Sequence, residues 1–241
     1  MKRQLALAIT DTKNITRDST LILLVAAPLA VFALLRFGIP FASTLLMNQF
    51  AFNLLPYYDI IVGFLILIPA MLFGILTGFL ILDERDEDII AYISITPLGK
   101  TGYLQYKLAM SCFGGGLFFF VLVYGTGLTT VPLVYAPGIA LMVSLEAPLT
   151  ALGLVAFAEN KIEGLAYTKV LGIPILAPIP AYFIHSAWNY LLGVFPAYWV
   201  TKSFFAAQQH AWQYVPFLII GIAVHLFYLY LLLKRFSNQS R

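Results

Sequence analysis

Residues 57–82 read YYDIIVGFLILIPAMLFGILTGFLIL, and the next six are Asp83-Glu84-Arg85-Asp86-Glu87-Asp88. The first stretch carries one charge, Asp59; the second is charged at every position. An apolar run of about 20 residues is what a helix needs to cross the hydrocarbon of a bilayer. Six consecutive charges need water. The change at Leu82–Asp83 therefore marks the place where a membrane span leaves the bilayer.

The rest of the chain fits that reading. Of 241 residues, 61% are hydrophobic and 10% are charged, with a mean hydropathy of +0.89. Soluble domains are about half apolar and a quarter charged. A soluble globule of this size could not hide so much apolar surface. Soluble enzymes, disordered chains and disulfide scaffolds are excluded. The net charge of +3 gives no footprint for nucleic acid. The single cysteine, Cys112, excludes an intrachain disulfide and a cysteine zinc site. Met1-Lys2-Arg3-Gln4 is basic like a signal peptide. But Asp11, Lys13, Asn14, Arg17 and Asp18 break the apolar core that a signal peptide needs, so the chain is expected to be retained whole.

The fold class is all-α: a polytopic membrane protein forming one transmembrane domain over residues 1–241. Six spans are predicted, at 19–37, 57–82, 106–128, 131–157, 168–188 and 214–233. The fifth holds Pro174, Pro178 and Pro180 and must be kinked or broken. Of the 14 basic residues, 12 fall before span one, after spans two and four, or in the tail; Arg36 and Lys202 lie on the opposite loops. The positive-inside rule then places both termini in the cytoplasm of a multi-pass protein of the cell membrane.

Residues 1–18 are too polar to span. Leu5, Ala8, Ile9, Thr12 and Ile15 form an apolar stripe, with Gln4, Asp11, Asn14 and Asp18 on another face, as in a helix lying in the membrane interface. Residues 83–105 form a cytoplasmic segment. Its acidic residues suit the first turn of a helix, where the macrodipole is positive, and Ile89, Ile90 and Ile93 supply an apolar face. Thr96-Pro97-Leu98-Gly99 reads as a β-turn. This element is either a solvated loop or a docking element for a soluble partner. Residues 189–213, divided by Pro196, are too short to cross twice and suit a re-entrant pair of short outer helices. Tyr57, Tyr58, Trp188, Tyr198, Trp199 and Trp212 are expected in an outer aromatic belt.

Two near-motifs carry little. Ser94-Ile95-Thr96-Pro97-Leu98-Gly99-Lys100-Thr101 differs from a phosphate-binding loop at its first glycine and lacks the preceding strand. His185 and Asn189, four apart, resemble part of the site of intramembrane metal-dependent proteases of the CAAX-processing type. Those enzymes also need a paired-glutamate motif, and no Glu-Glu pair occurs in this chain. An enzyme built on His185, Asn189 and Glu146 is the rival reading, and His185 otherwise belongs to a polar vestibule at the outer end of span five. Glu146 is the only carboxylate near the middle of a span. It is either a cavity-lining group for a cationic or polar substrate or a structural carboxyl at a subunit interface. Pro148 beside it predicts a local kink. Gly74-x-x-x-Gly78 and Gly114-Gly115-Gly116 predict close helix packing.

Three segments resemble the permease subunits of type-2 ABC exporters, and most closely the small permeases of fluoroquinolone export. They are Leu82-Asp83-Glu84-Arg85-Asp86-Glu87 through Thr96-Pro97-Leu98 to Tyr103-Leu104; Ser144-Leu145-Glu146-Ala147-Pro148-Leu149 into Ala158–Gly164; and Pro196-Ala197-Tyr198-Trp199 with Lys202. The resemblance implies a coupling helix, with Asp83, Glu84, Arg85, Asp86, Glu87, Asp88, Ile89, Thr96 and Pro97 facing a cytoplasmic ABC ATPase. It implies a second permease chain, as a homo- or heterodimer, and a substrate path or interface near Glu146, Pro148, His185 and Asn189. This chain would bind no cofactor or metal; ATP and magnesium would sit on the partner ATPase. A non-transporting sensor or immunity protein on the same fold is a weaker alternative.

Overall fold

A computed structural model describes residues 2–184 and 186–239. All regular structure among them is helical. Six of the helices are long and apolar enough to cross a membrane.

Helix α1 (Lys2–Arg17) ends at Asp18, which caps the next helix. Its carboxylate accepts from Thr20 N at 2.7 Å and Leu21 N at 3.3 Å, satisfying two amides that have no partner within the helix. Helix α2 (Ser19–Ala33) does not stop near Phe37, the expected end of span one. It passes through a π-helical turn, Leu34–Gly38, into α3 (Ile39–Phe50). Pro40 lies in the first turn of α3, and the wider π turn just before it accommodates the missing amide. Ala51, at φ +51°, ends the helix, with Phe52 N donating back to Leu46 O.

Span two is a short 3₁₀ turn (Leu55–Tyr57), α4 (Tyr58–Leu65) and α5 (Leu67–Asp86). The helix continues four residues beyond Leu82, so Asp83–Asp86 occupy its last turn. This corrects the expectation that the acidic run opens a helix. The short helix α6 (Ile89–Ser94) begins after it and has no acidic residue in its first turn. Asp88, at φ +57°, stands at its N-cap position without a side-chain cap bond. Helix α7 (Gly99–Thr126) starts seven residues earlier than expected, which shortens the connecting segment.

Helix α8 (Ala136–Phe157) is the centre of the bundle: 78% of its apolar window is buried, against 11% for the first and last spans. It begins five residues after the predicted Val131 and runs through Pro148 without interruption. Gly74 of α5 packs directly on it. A Cβ there would lie 2.5 Å from Ala147 O and 2.6 Å from Thr150 Cβ, so only glycine allows this approach. The triple glycine of α7 is wedged in the same way, with Gly115 against Ala70 and Gly116 against Ser144.

Span five is broken, as its prolines require, but it starts earlier than Thr168. It comprises α9 (Lys161–Leu171), a 3₁₀ turn (Pro174–Leu176) and α10 (Pro178–Phe183). The start is fixed by Asn160, whose side chain accepts from Glu163 N at 2.9 Å, while Glu163 accepts from Glu159 N at 2.7 Å. A 3₁₀ helix (Ala187–Val194) and α11 (Pro196–Gln208) come next, then α12 (Tyr214–Gln239), which outlasts the predicted span by six residues. Tyr198 and Trp199 depart from the expected belt. They are buried, and Trp199 Nε1 donates to Gly193 O at 2.7 Å. Trp188 and Trp212 are exposed, as belt residues should be.

Candidate functional site

One end of the bundle gathers the starts of α2, α7 and α9 and the ends of α5, α8 and α12. The run Asp83–Asp88 splits there into two halves. Three residues turn inward. Asp83 pairs with Lys161 at 2.6 Å, and Lys161 also holds Asp18 at 2.6 Å. Glu84, 2% exposed, accepts from Lys107 Nζ at 2.9 Å and from the Tyr103 hydroxyl. Lys107 reaches Asp11 of α1 at 2.5 Å, and Tyr106 donates to the same carboxylate at 3.3 Å. Arg85 donates to Ala158 O at 2.5 Å and Val155 O at 3.4 Å.

Negative side chains at a helix C-terminus oppose the macrodipole. The pairing explains why α5 tolerates them: each inward acid meets a lysine from another helix. Arg85 does the opposite service for α8. Together with Arg235, which donates to Ala156 O at 3.0 Å and lies 4.2 Å from the centre of the Phe157 ring, it satisfies carbonyls at that helix's C-terminal end. Asp18 lies outside the spans, and its hydrogen bond from Lys161 holds its carboxyl below the ordinary aspartate range, against the opposing effect of burial.

The other half of the run faces out. Asp86, Glu87 and Asp88 are exposed, as are Thr96 and Pro97; Ile89 is half-buried. Tyr92 is 70% exposed and Ile95 84%. Ile90, Ile93 and Leu98 pack inward on a cluster that includes Phe79, Leu82 and Tyr103. The segment thus has an apolar underside gripped by α5 and α7, and an outer surface that is acidic with two large apolar side chains. The near-motif Ser94–Thr101 spans the end of α6, a turn and the start of α7, with helices on both flanks.

Near mid-bundle, Glu146 is buried at 5% exposure and faces His225 of α12, Oε1 to Nε2 at 3.4 Å. His225 is fully buried, and its Nδ1 lies 2.7 Å from Gly221 O. A carbonyl only accepts, so Nδ1 carries a hydrogen and Nε2 is left to the carboxyl. Sequence reasoning misses His225. A histidine inside the apolar run of span six is the available signal. Pro148 is buried next to Ala147. Asn189 is buried on the 3₁₀ helix, and its amide donates to Ala181 O at 2.7 Å and Ile184 O at 2.6 Å. It ties the broken span to the segment after it. His185 lies outside the described residues. Among the described residues no three His, Cys, Asp or Glu side chains group as metal ligands. Asn189 also borders a polar cavity of about 260 Å³ at the far end, with Ser186, Thr201 and Lys202.

An all-helical bundle with six membrane-length helices among the described residues, a buried mid-bundle carboxyl and an acidic element between spans two and three defines a polytopic membrane protein. Residues 11–233 match the family model of the fluoroquinolones export permease protein Rv2686c-like. The chain belongs to that family. Two relatives are the fluoroquinolones export permease proteins Rv2686c and MT2760 of Mycobacterium tuberculosis, strains ATCC 25618 / H37Rv and CDC 1551 / Oshkosh. Each is 31% identical over 233 residues, 95% of this chain and 92% of the relative. No solved structure matches. The chain is thus a multi-pass permease of an export family, a transport subunit by its family.

Proposed function

We propose that this permease is the membrane-spanning subunit of an ATP-driven ABC exporter, driven by a separate cytoplasmic ATPase and working with a second permease chain. Both termini lie in the cytoplasm, α1 lies along the inner interface, and the 3₁₀ helix with α11 forms the re-entrant outer segment. Fluoroquinolones, named for its relatives, are the first cargo to test.

The observation that carries this reading is the division of Asp83–Asp88. The inner half is bonded to α7, α8 and α9, and through Lys107 to α1, and the outer half with Tyr92 and Ile95 is free to meet another protein. A push on α6 would pass through Glu84 and Lys107 into α7 and α1, and through Asp83 and Lys161 into α2 and α9. Apolar anchors rimmed by charge are the usual make-up of a protein contact. The 12-to-2 bias of basic residues supports the orientation. The test is co-purification. Reversing Asp86, Glu87 and Asp88 together to lysine should strip the ATPase from the permease and abolish transport, while the folded chain still reaches the membrane. Unchanged association in that variant would remove the coupling role from this element.

A further inference from the structure

Glu146 has a second neighbour besides His225. It lines a groove of about 230 Å³ between α8, the broken span five and α12. Leu149, Gly153, Leu171, Ile175 and Tyr228 are among the other walls. Among the described residues, Glu146 is the only acidic one there, and no basic residue lines the groove. Its Oε1 is buried without a hydrogen bond, and so is Nε2 of His225. The carboxyl meets His225 at 3.4 Å, longer than a charge-assisted hydrogen bond, and a stronger partner can displace that contact.

The chemistry of the walls selects that partner. An anion would find no positive charge. A hydrated metal ion would find one carboxylate among apolar and aromatic side chains. An ammonium on an apolar body would place its charge on Glu146, its body against Leu149, Leu171 and Ile175, and a face of Phe195 or Tyr228 over the cation. The volume lies below the range of about 300–1,000 Å³ usual for whole drug-sized ligands, so the groove takes the charged head and one ring. We infer that this groove is a binding site for lipophilic organic cations, with Glu146 as the counter-charge and His225 as the residue that holds the carboxyl in the present arrangement. The inference rests on the permease reading only in taking the cation as cargo; binding is measured on the chain itself.

The test uses the full chain purified in lipid nanodiscs, with benzyltrimethylammonium as probe and its neutral carbon isostere, neopentylbenzene, as control. Calorimetric titration should show the cation binding more tightly than the isostere. Glu146→Gln should weaken the cation by at least about tenfold, ~1.4 kcal/mol, and leave the isostere unchanged. Leu171→Trp, which fills the groove from the rim and leaves the charge in place, should weaken both. Equal binding of cation and isostere to the native chain, or native cation affinity in either variant, would overturn the site. If Glu146→Gln fails to fold, Leu171→Trp and the isostere decide. Cation binding by a chain that recruits no ATPase would keep the site and sink the exporter reading. An ATPase-bound chain that does not bind the cation would do the reverse.

Discussion

Lys107 lies 2% exposed between two carboxylates, Asp11 and Glu84, that come from different helices. A buried charge is tolerated only when paired and hydrogen-bonded, and here all three members are. Lys107→Met removes the shared cation and leaves two acids facing apolar surroundings. The expected loss is about 3–5 kcal/mol, read as lowered thermal stability in detergent. The triple variant Asp11→Asn, Glu84→Gln, Lys107→Met should recover most of it, because no unpaired charge remains. At the more open pair, Asp18 has a carboxyl held below its ordinary value by Lys161. Its contribution is therefore present at neutral pH and lost as pH falls through the lowered folded value, below the usual aspartate range. Lys161→Met should remove that part of the acid sensitivity of unfolding. None of these pairs is legible in the sequence. Lys107 is 96 residues from Asp11 and 143 separate Lys161 from Asp18, so no local period connects them. The mid-span Glu146 is legible as an outlier, because a lone acid in an apolar run has few explanations. His225 is legible as a histidine within a span but not as the partner of Glu146, because the two lie on different spans and no local period connects them.

At the scale of elements, apolar length correctly predicts six helices long enough to span, and prolines correctly predict that the fifth is broken. The ends are harder. Polar residues mark a stop to span two at Leu82, yet α5 runs on to Asp86 because lysines from α7 and α9 neutralise its last turn. Span one is expected to end at Phe37, yet a π turn carries the helix on past Gly38 and Pro40. Asn160 and Glu163, three apart, are a legible cap that sets the start of α9. The glycine pattern of span two predicts a packing face, and that face lies on α8. Gly74→Leu should prevent the approach of α5 to α8, because the obstacle is the backbone oxygen of Ala147 at 2.5 Å and cannot rotate away. Overpacking of this kind costs about 1–3 kcal/mol or more, seen as reduced yield of monodisperse protein and a lower melting temperature.

Across the whole molecule, the division of labour follows from where the charges went. A chain that is 61% apolar keeps most of its few acids for two tasks: bonding the helices together at one end, and offering an acidic surface beyond them. The spans are proposed to supply a path, with the buried Glu146 of central α8 on it, and the energy is proposed to come from another protein. This dependence on a separate motor is tested by reconstituting the chain with its co-purified ATPase into proteoliposomes and following accumulation of a fluorescent fluoroquinolone. Accumulation should require ATP, should fail with a non-hydrolysable analogue, and should be lost in the Asp86, Glu87, Asp88 lysine variant. Equal accumulation with and without ATP hydrolysis would contradict an ATP-driven permease.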